Sequence, residues 1–324
     1  MITRLAASPL AFADAGFDYA GLAARIADAV SSTDAVDFGF KREVAVGYHQ
    51  ESDRKIFPLQ QAFAARPDVR GELNEWARTR IPLFLRALYE SVACSDLVMK
   101  APEDLRFALR VRVIEDQPGF SLAPHKDSSD TVFAFLLQLS PENPTTSGFL
   151  KRAKSIVIDK KAMRDPTRGG LPSVLPEAIE RIYGYRPQLS FTANQFSERI
   201  VAWEQQDNIW FIDESDERFE AAGFEEVRLD PPFGSLLAIH NPARSEWFRS
   251  PLADFNVNNA RHGVFPRVYA KRPLVLLDLL GAHSKGEHIS VEGVGSDPNS
   301  YFVIFRQETS QRMMREAGFW PDGR

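Results

Sequence analysis

The residues whose types and spacing carry the most chemistry are His125 and Asp127, in the run Pro124-His125-Lys126-Asp127. Along an extended strand, alternate residues share a face. An imidazole and a carboxylate two positions apart can therefore address one metal ion from the same side. They are two members of the facial set of two histidines and one carboxylate, which suits iron(II) and leaves coordination positions open for other ligands. The third member, a histidine, must come from elsewhere in the chain. His283 and His288 lie in a Gly- and Ser-containing stretch after the last apolar run, where a solvated loop is the plainer reading. His240 ends an apolar strand just ahead of Asn241-Pro242 and can be a strand-end side chain. His262 differs in its context, Asn259-Ala260-Arg261-His262-Gly263-Val264, with Arg272 ten positions on.

That arginine has a physical use. If His262 enters one strand and Arg272 opens the next, a hairpin brings the guanidinium towards the metal face. A planar guanidinium grips a carboxylate through two parallel hydrogen bonds. A ligand would then be held at one end by Arg272 and chelated to metal at the other. Pro273 is tolerated at a strand start, and Arg272, Leu274 and Leu276 would share a face. Arg267 is the rival, but it follows His262 by only five residues and falls on the same strand or its turn. Arg110 and Arg112 flank a strand ahead of the metal loop and either face the cavity or pair with surface acids.

The elements needed to position these residues are visible in the periodicity. Asp18 can cap a helix with apolar positions Tyr19, Leu22, Ala23, Ile26 and Val30. A second helical stretch runs over 69–91 with Leu73, Trp76, Leu83, Phe84, Leu85 and Leu88; Pro82 is predicted to kink or divide it. Strand patterns follow at 107–114, ahead of the turn Gln117-Pro118-Gly119, and at 131–139, 234–240 and 273–280. Between Ser147 and Pro232 the pattern is irregular: 164–176 is loop-like, 176–183 reads as a short helix ending at Gly184, and 213–226 is an acidic, solvated surface. The aromatics Phe191, Phe196, Trp203, Trp210 and Phe211 in that stretch fit either a core or a lid over the site.

The pattern H-x-D at His125 and Asp127, His262-Gly263-Val264, and an arginine ten residues on resembles the iron(II)- and 2-oxoglutarate-dependent oxygenases. The run Arg112–Leu139 is most similar to their prolyl-4-hydroxylase-like branch. The resemblance covers about 107–148 and 233–280. Ile114 or Glu115 stands where a co-substrate tyrosine is frequent, and the R-x-S of many relatives reads Arg272-Pro273-Leu274 here. The resemblance implies a mainly β fold with flanking helices around a distorted double-stranded β-helix, the jelly-roll or cupin-like core. It implies a helical segment over 1–100 packing on the barrel, an oxygenase core over 101–280 with an insertion at about 147–232, and a C-terminal extension over 281–324. His125, Asp127 and His262 are then the iron ligands and catalytic centre, and Arg272 binds the co-substrate 2-oxoglutarate. The implied activity consumes O2 and 2-oxoglutarate, releases succinate and CO2, and hydroxylates a small molecule such as an amino acid, saccharide or secondary metabolite. The alternative is a cupin-like metal-binding protein or isomerase with no 2-oxoglutarate turnover.

Composition narrows the partners. The 324 residues are 44% hydrophobic and 26% charged, with a formal net charge of -5. Without a basic block the chain is not expected to bind nucleic acid or an anionic membrane, and no apolar run approaches a membrane span. The single cysteine, Cys94, excludes an internal disulfide framework and fits a reducing compartment. Residues 1–15 imitate a signal peptide, but Ser8, Pro9 and Asp14 interrupt the pattern. A cytoplasmic enzyme with a small-molecule substrate is the expectation, and nothing in the sequence sets an oligomeric state.

Overall fold

The computed structural model describes residues 1–5, 10–38, 54–92, 104–118, 120, 122–125, 127, 131–140, 149–153, 155–157, 188–190, 224–229, 233–241, 262–264, 271–282 and 297–319. Two sheets organise it. The larger has nine strands, in the order β1 (Ile2–Arg4), β2 (Ala11–Asp14), β12 (Leu236–His240), β7 (Thr131–Gln138), β14 (Arg272–Ala282), β5 (Arg106–Asp116), β4 (Arg54–Ile56) and β3 (Val36–Asp37), with β15 (Tyr301–Ile304) also paired to β5. The smaller has four, in the order β11 (Phe224–Arg228), β8 (Phe149–Ala153), β13 (His262–Val264) and β6 (Leu122–His125).

The chain passes between the two sheets in a fixed rhythm. It runs β5 to β6, β7 to β8, β11 to β12 and β13 to β14, each step crossing from one sheet to the other. The adjacent sets β12-β7-β14-β5 and β11-β8-β13-β6 that result are antiparallel throughout. This interleaving is a double-stranded β-helix, the jelly-roll expected from the sequence.

Alternation along the long central strands decides what each face does. On β5, Phe107, Leu109, Val111 and Val113 point to one side; on β14, Val275, Leu277 and Leu279 join them in the main core. That side is covered by the helices α1 (Tyr19–Ser31), α2 (Leu59–Ala65), α3 (Pro67–Val92) and α4 (Gln307–Glu316). Trp76 and Phe84 of α3 meet Phe135 of β7 edge-on, with centroids 5.7 and 5.0 Å apart. The opposite face carries Arg110, Arg112, Ile114 and Asp116 of β5, and Arg272, Leu274, Leu276 and Asp278 of β14, set directly across from one another. It is the inner face: Leu229, just after β11 of the smaller sheet, packs against Ala11, Leu237 and Ile239 on it.

Asp18 caps α1 as expected, accepting a hydrogen bond from the Gly21 amide at 2.9 Å. The structure refines three expectations. Of the two outcomes expected at Pro82, division of the helix does not occur: α3 runs from Pro67 to Val92 as one element. The stripe Val69, Leu73, Trp76, Ala77, Ile81, Phe84, Leu85 and Leu88 is buried along its length, so packing outweighs the one lost backbone hydrogen bond. Residues 1–100 are more than a helical covering, because β2 pairs with β12 and β4 with β5, widening the larger sheet at both sides. Within 147–232, β8 and β11 pair with each other and β8 with β13, so both are barrel strands and the excursion between them spans 154–223. Inside it, β9 (Ser155–Val157) and β10 (Gln188–Ser190) form a separate parallel pair. In 281–324, β15 joins β5, while Met313 and Met314 of α4 enter the helix-side core. Cys94, the 176–183 segment, the aromatics of the excursion and the acidic residues 213–223 lie outside the described residues. No helix among the described residues is long and apolar enough to cross a membrane.

Candidate metal and anion site

The two histidines of the expected triad meet in the smaller sheet. β6 ends at His125, β13 begins at His262, and the two residues are direct partners in the antiparallel register. Directly opposed positions lie on the same face of a sheet, so residues 137 positions apart in the chain are brought together by one pairing step. What the structure describes of these two residues is the backbone. Asp127 follows two positions beyond β6, half-buried, with its Oδ2 closed to solvent.

The backbone at Asp127 is held by a residue that the sequence reading passed over. Asn241, the first residue after β12, is 3% exposed. Its Nδ2 donates to the carbonyl oxygens of Asp127 at 3.3 Å and Thr131 at 3.1 Å, and its amide donates to Val132 at 3.1 Å. One side-chain amide thus ties the backbone at Asp127 and Thr131 to the end of β12. Asn241-Pro242 had read only as a strand end. The bridge depends on β12 lying beside β7, which local sequence does not show.

His240, a candidate for the third ligand, is placed elsewhere. It alternates with Leu236 and Ala238, which face the helices, and its ring meets Phe133 edgewise at 5.2 Å. Nδ1 donates to the Val132 carbonyl at 2.7 Å. Burial pushes its pKa down to about 3, the backbone hydrogen bond offsetting this only in part. It is a neutral core histidine on the side of the larger sheet turned away from the barrel interior. His283, His288 and Arg267 lie outside the described residues.

Arg272 opens β14 on the inner face, as its spacing suggested, and is 3% exposed. The sequence did not show its carboxylate neighbour. The register sets Arg272 opposite Asp116, and both Nε, at 3.0 Å, and Nη2 donate to Asp116 Oδ2. Asp116 is fully buried and its Oδ1 accepts from Arg54 Nε at 2.6 Å. The Arg54 guanidinium lies over the Phe120 ring, 4.2 Å from its centroid. Burial is the leading influence on Arg272 and lowers its pKa; Asp116 works against it. Asp116 is thus shared by two guanidiniums, Arg54 and Arg272. Arg110 and Arg112 also face inward, and their partner is Asp278 rather than a surface acid.

No family model matches this sequence, and no curated protein matches it. Among solved structures, the chain is similar to the dioxygenase for auxin oxidation in rice, at 17% identity over 97% of this chain and 87% of that one, with a TM-score of 0.39. It is also similar to the non-heme alpha-ketoglutarate-dependent epimerase SnoN from nogalamycin biosynthesis, at 11% identity over 89% and 87% of the two chains, TM-score 0.40. A third is HygX from Streptomyces hygroscopicus, solved with nickel and 2-oxoglutarate, at 14% identity over 84% and 82%, TM-score 0.34.

Proposed function

We propose that this chain is an iron(II)- and 2-oxoglutarate-dependent dioxygenase that hydroxylates a small molecule. The observation that carries the reading is the register opposing His125 to His262, with Asp127 two positions on and its backbone tied by Asn241. Two imidazoles and one carboxylate are a donor set that fits iron(II) and leaves room for a chelating co-ligand and O2. His125, Asp127 and His262 would hold the metal. When bound, it supplies the dioxygen chemistry that couples loss of CO2 from 2-oxoglutarate, giving succinate, to oxidation of a substrate C–H bond.

The chain's own residues do the rest. Arg272 binds the far carboxylate of 2-oxoglutarate, its planar guanidinium matching that group. Asp116 fixes both guanidiniums before the ligand arrives, so little side-chain freedom is lost on binding. Ile56, Ile114 and Leu274, packed together beside this cluster, keep the region apolar and its charge interactions strong. Asn241 fixes the backbone at Asp127. Asp127 would supply a carboxylate ligand where halogenating enzymes lack one, which favours hydroxylation over halogenation. The single cysteine supports a cytoplasmic setting.

One observation favours a second reading, a cupin-like metal protein without 2-oxoglutarate turnover: Asp116 already engages Arg272. Anaerobic titration of iron(II)-loaded protein with 2-oxoglutarate separates the two. The dioxygenase reading expects a weak visible charge-transfer band that needs both components and disappears in His262→Ala. Iron binding without a band supports the cupin-like reading, and no iron binding removes both. Arg272→Ala is expected to raise the 2-oxoglutarate requirement of the band at least tenfold. It should also cost about 3–5 kcal/mol of stability, the usual result of breaking a buried ion pair. An unchanged requirement would transfer the role to Arg54 or Arg267.

A further inference from the structure

The inner face of the barrel carries a second set of charges that the metal and co-substrate do not use. Arg110 donates to Asp278 Oδ2 from Nε at 2.9 Å, and its Nη2 lies 2.8 Å from the same oxygen in an ion pair. Arg112 donates to the same oxygen from Nη2 at 2.7 Å. The register explains the convergence: Asp278 stands directly opposite Arg110, and Arg112 is the next residue of β5 on that face. Two guanidiniums therefore close on one carboxylate oxygen in the barrel wall, where the Asp278 side chain is 10% exposed, Arg112 18% and Arg110 32%.

A purely structural role accounts poorly for this arrangement. Taking charged groups out of water costs several kcal/mol each, and apolar side chains of similar volume commonly do as well or better. One arginine would neutralise Asp278; the second leaves a positive charge in excess. Arg112 has a further neighbour in Arg54, whose guanidinium shares the Phe38 ring with it, at 5.8 and 5.7 Å from the centroid. Asp116, the carboxylate on Arg54, is already shared with Arg272. Burial above all, with Arg110 and Arg54 adding to it and Asp278 opposing, lowers the pKa of Arg112. Its Nε is buried without a hydrogen-bond partner. Leaving a buried donor unsatisfied is unfavourable, more so when it is charged. An anion arriving beside Arg110 and Arg112 would compensate both the excess charge and the unused donor.

We infer that Arg110 and Arg112 form an anion subsite in the barrel that takes a carboxylate of the substrate in competition with Asp278. The subsite is separate from Arg272 and needs no metal. Its assignment to substrate rests on the dioxygenase reading, and it narrows that enzyme's substrate to a carboxylic acid. Arg110, the most exposed of the three, is the approach side, while the more deeply placed Arg112 supplies the desolvated charge that strengthens the pairing.

The test uses the full chain without iron or 2-oxoglutarate. Carbon-13 acetate is titrated and its line width followed, beside acetamide as the neutral isostere and methyl phosphate as the other oxyanion. The subsite predicts saturable acetate binding, with acetamide at least tenfold weaker. Arg110→Gln and Arg112→Gln should each weaken acetate at least tenfold while keeping a cooperative unfolding transition. Asp278→Asn should tighten acetate, because it removes the internal competitor; this sign is opposite to that of a purely structural residue. The inference is overturned if acetate and acetamide behave alike, if the arginine variants bind acetate unchanged, or if Asp278→Asn weakens binding. Methyl phosphate binding tenfold tighter than acetate would overturn the carboxylate in favour of a phosphate. If Arg112→Gln does not fold, Arg110→Gln and Asp278→Asn still decide. A charge-transfer band with no acetate binding would remove this subsite and leave the dioxygenase; acetate binding with no band would do the reverse.

Discussion

At the scale of single residues, His240 gives the molecule a pH dependence that can be isolated. Its folded pKa of about 3 lies far below the ordinary 6.5 because the ring is buried and charging it would strand a cation in the core. Above about pH 6.5 the ring is neutral in both the folded and unfolded chain, and its contribution is complete. Below that, only the unfolded chain takes up the proton, so stability falls by about 1.4 kcal/mol per pH unit until the folded ring also titrates. Asp14 and Asp278 have pKa values lowered from 3.8, so their losses come at lower pH. The interval from pH 6 to pH 4.5 therefore reports His240. Urea unfolding of metal-free wild type and His240→Asn across that interval should show a shallower slope in the variant by about 1 kcal/mol per pH unit. Parallel slopes would mean that His240 accepts protons while folded. His125 and Asp127 could be proposed from sequence because strand alternation acts over a few positions. Asp116 and Asn241 could not: the first reaches Arg272 across 156 residues and the second reaches Asp127 across 114, and only the register of non-neighbouring strands creates either contact.

Among elements, those whose periodicity is long and regular could be read from sequence, and those made by pairing could not. The helix α1 and the strands β5, β7 and β14 announce themselves over eight residues or more. The strands β8, Phe-Leu-Lys-Arg-Ala, and β11, Phe-Glu-Glu-Val-Arg, are five residues each with charges in the middle, and read locally as surface. Their partner strands decide them. The end of α4 shows a local rule that does hold. Gly318 has φ of +97° and follows the C-cap Ala317; its amide donates to Arg315, and the Phe319 amide to Met314. This is a Schellman closure, which favours glycine at that position. A Cβ at Gly318 would also stand 2.8 Å from the Tyr89 ring of α3, which packs edge-on against Phe319. Gly318→Ala should therefore cost roughly 1–2 kcal/mol from backbone strain alone, and more if Tyr89 must move. Thermal unfolding measures it, and an unchanged midpoint would show that the junction of α3 and α4 carries little of the stability.

For the whole molecule, the question is whether the barrel exists apart from the segment that precedes it. Asp14 at the end of β2 is fully buried and accepts hydrogen bonds from Tyr19 of α1 at 2.6 Å and from Arg80 Nε of α3 at 2.8 Å, while Trp76 donates to the Tyr19 hydroxyl at 3.0 Å. The first hundred residues are thus joined to one another by a buried polar hub and to the barrel by β2 and β4. Their helices also cover the outer face of the larger sheet, where Phe107, Leu109, Phe133, Phe135, Leu277 and Leu279 are each at most 2% exposed. Uncovering a large apolar side chain costs roughly 1.5–3 kcal/mol, so six of them amount to more than about 9 kcal/mol, comparable with the whole stability of an ordinary domain at about 5–15 kcal/mol. The outer edges of β12 and β5 would in addition lose the pairing that β2 and β4 provide, leaving open strands prone to association. A chain restricted to 101–324 is therefore expected to aggregate or to lack a cooperative transition, even with every metal and arginine residue of the proposed site retained. Size-exclusion chromatography and thermal unfolding of that fragment test it directly. A monodisperse fragment that unfolds cooperatively would show that the β-helix is an independent domain and that the N-terminal segment serves something other than its stability.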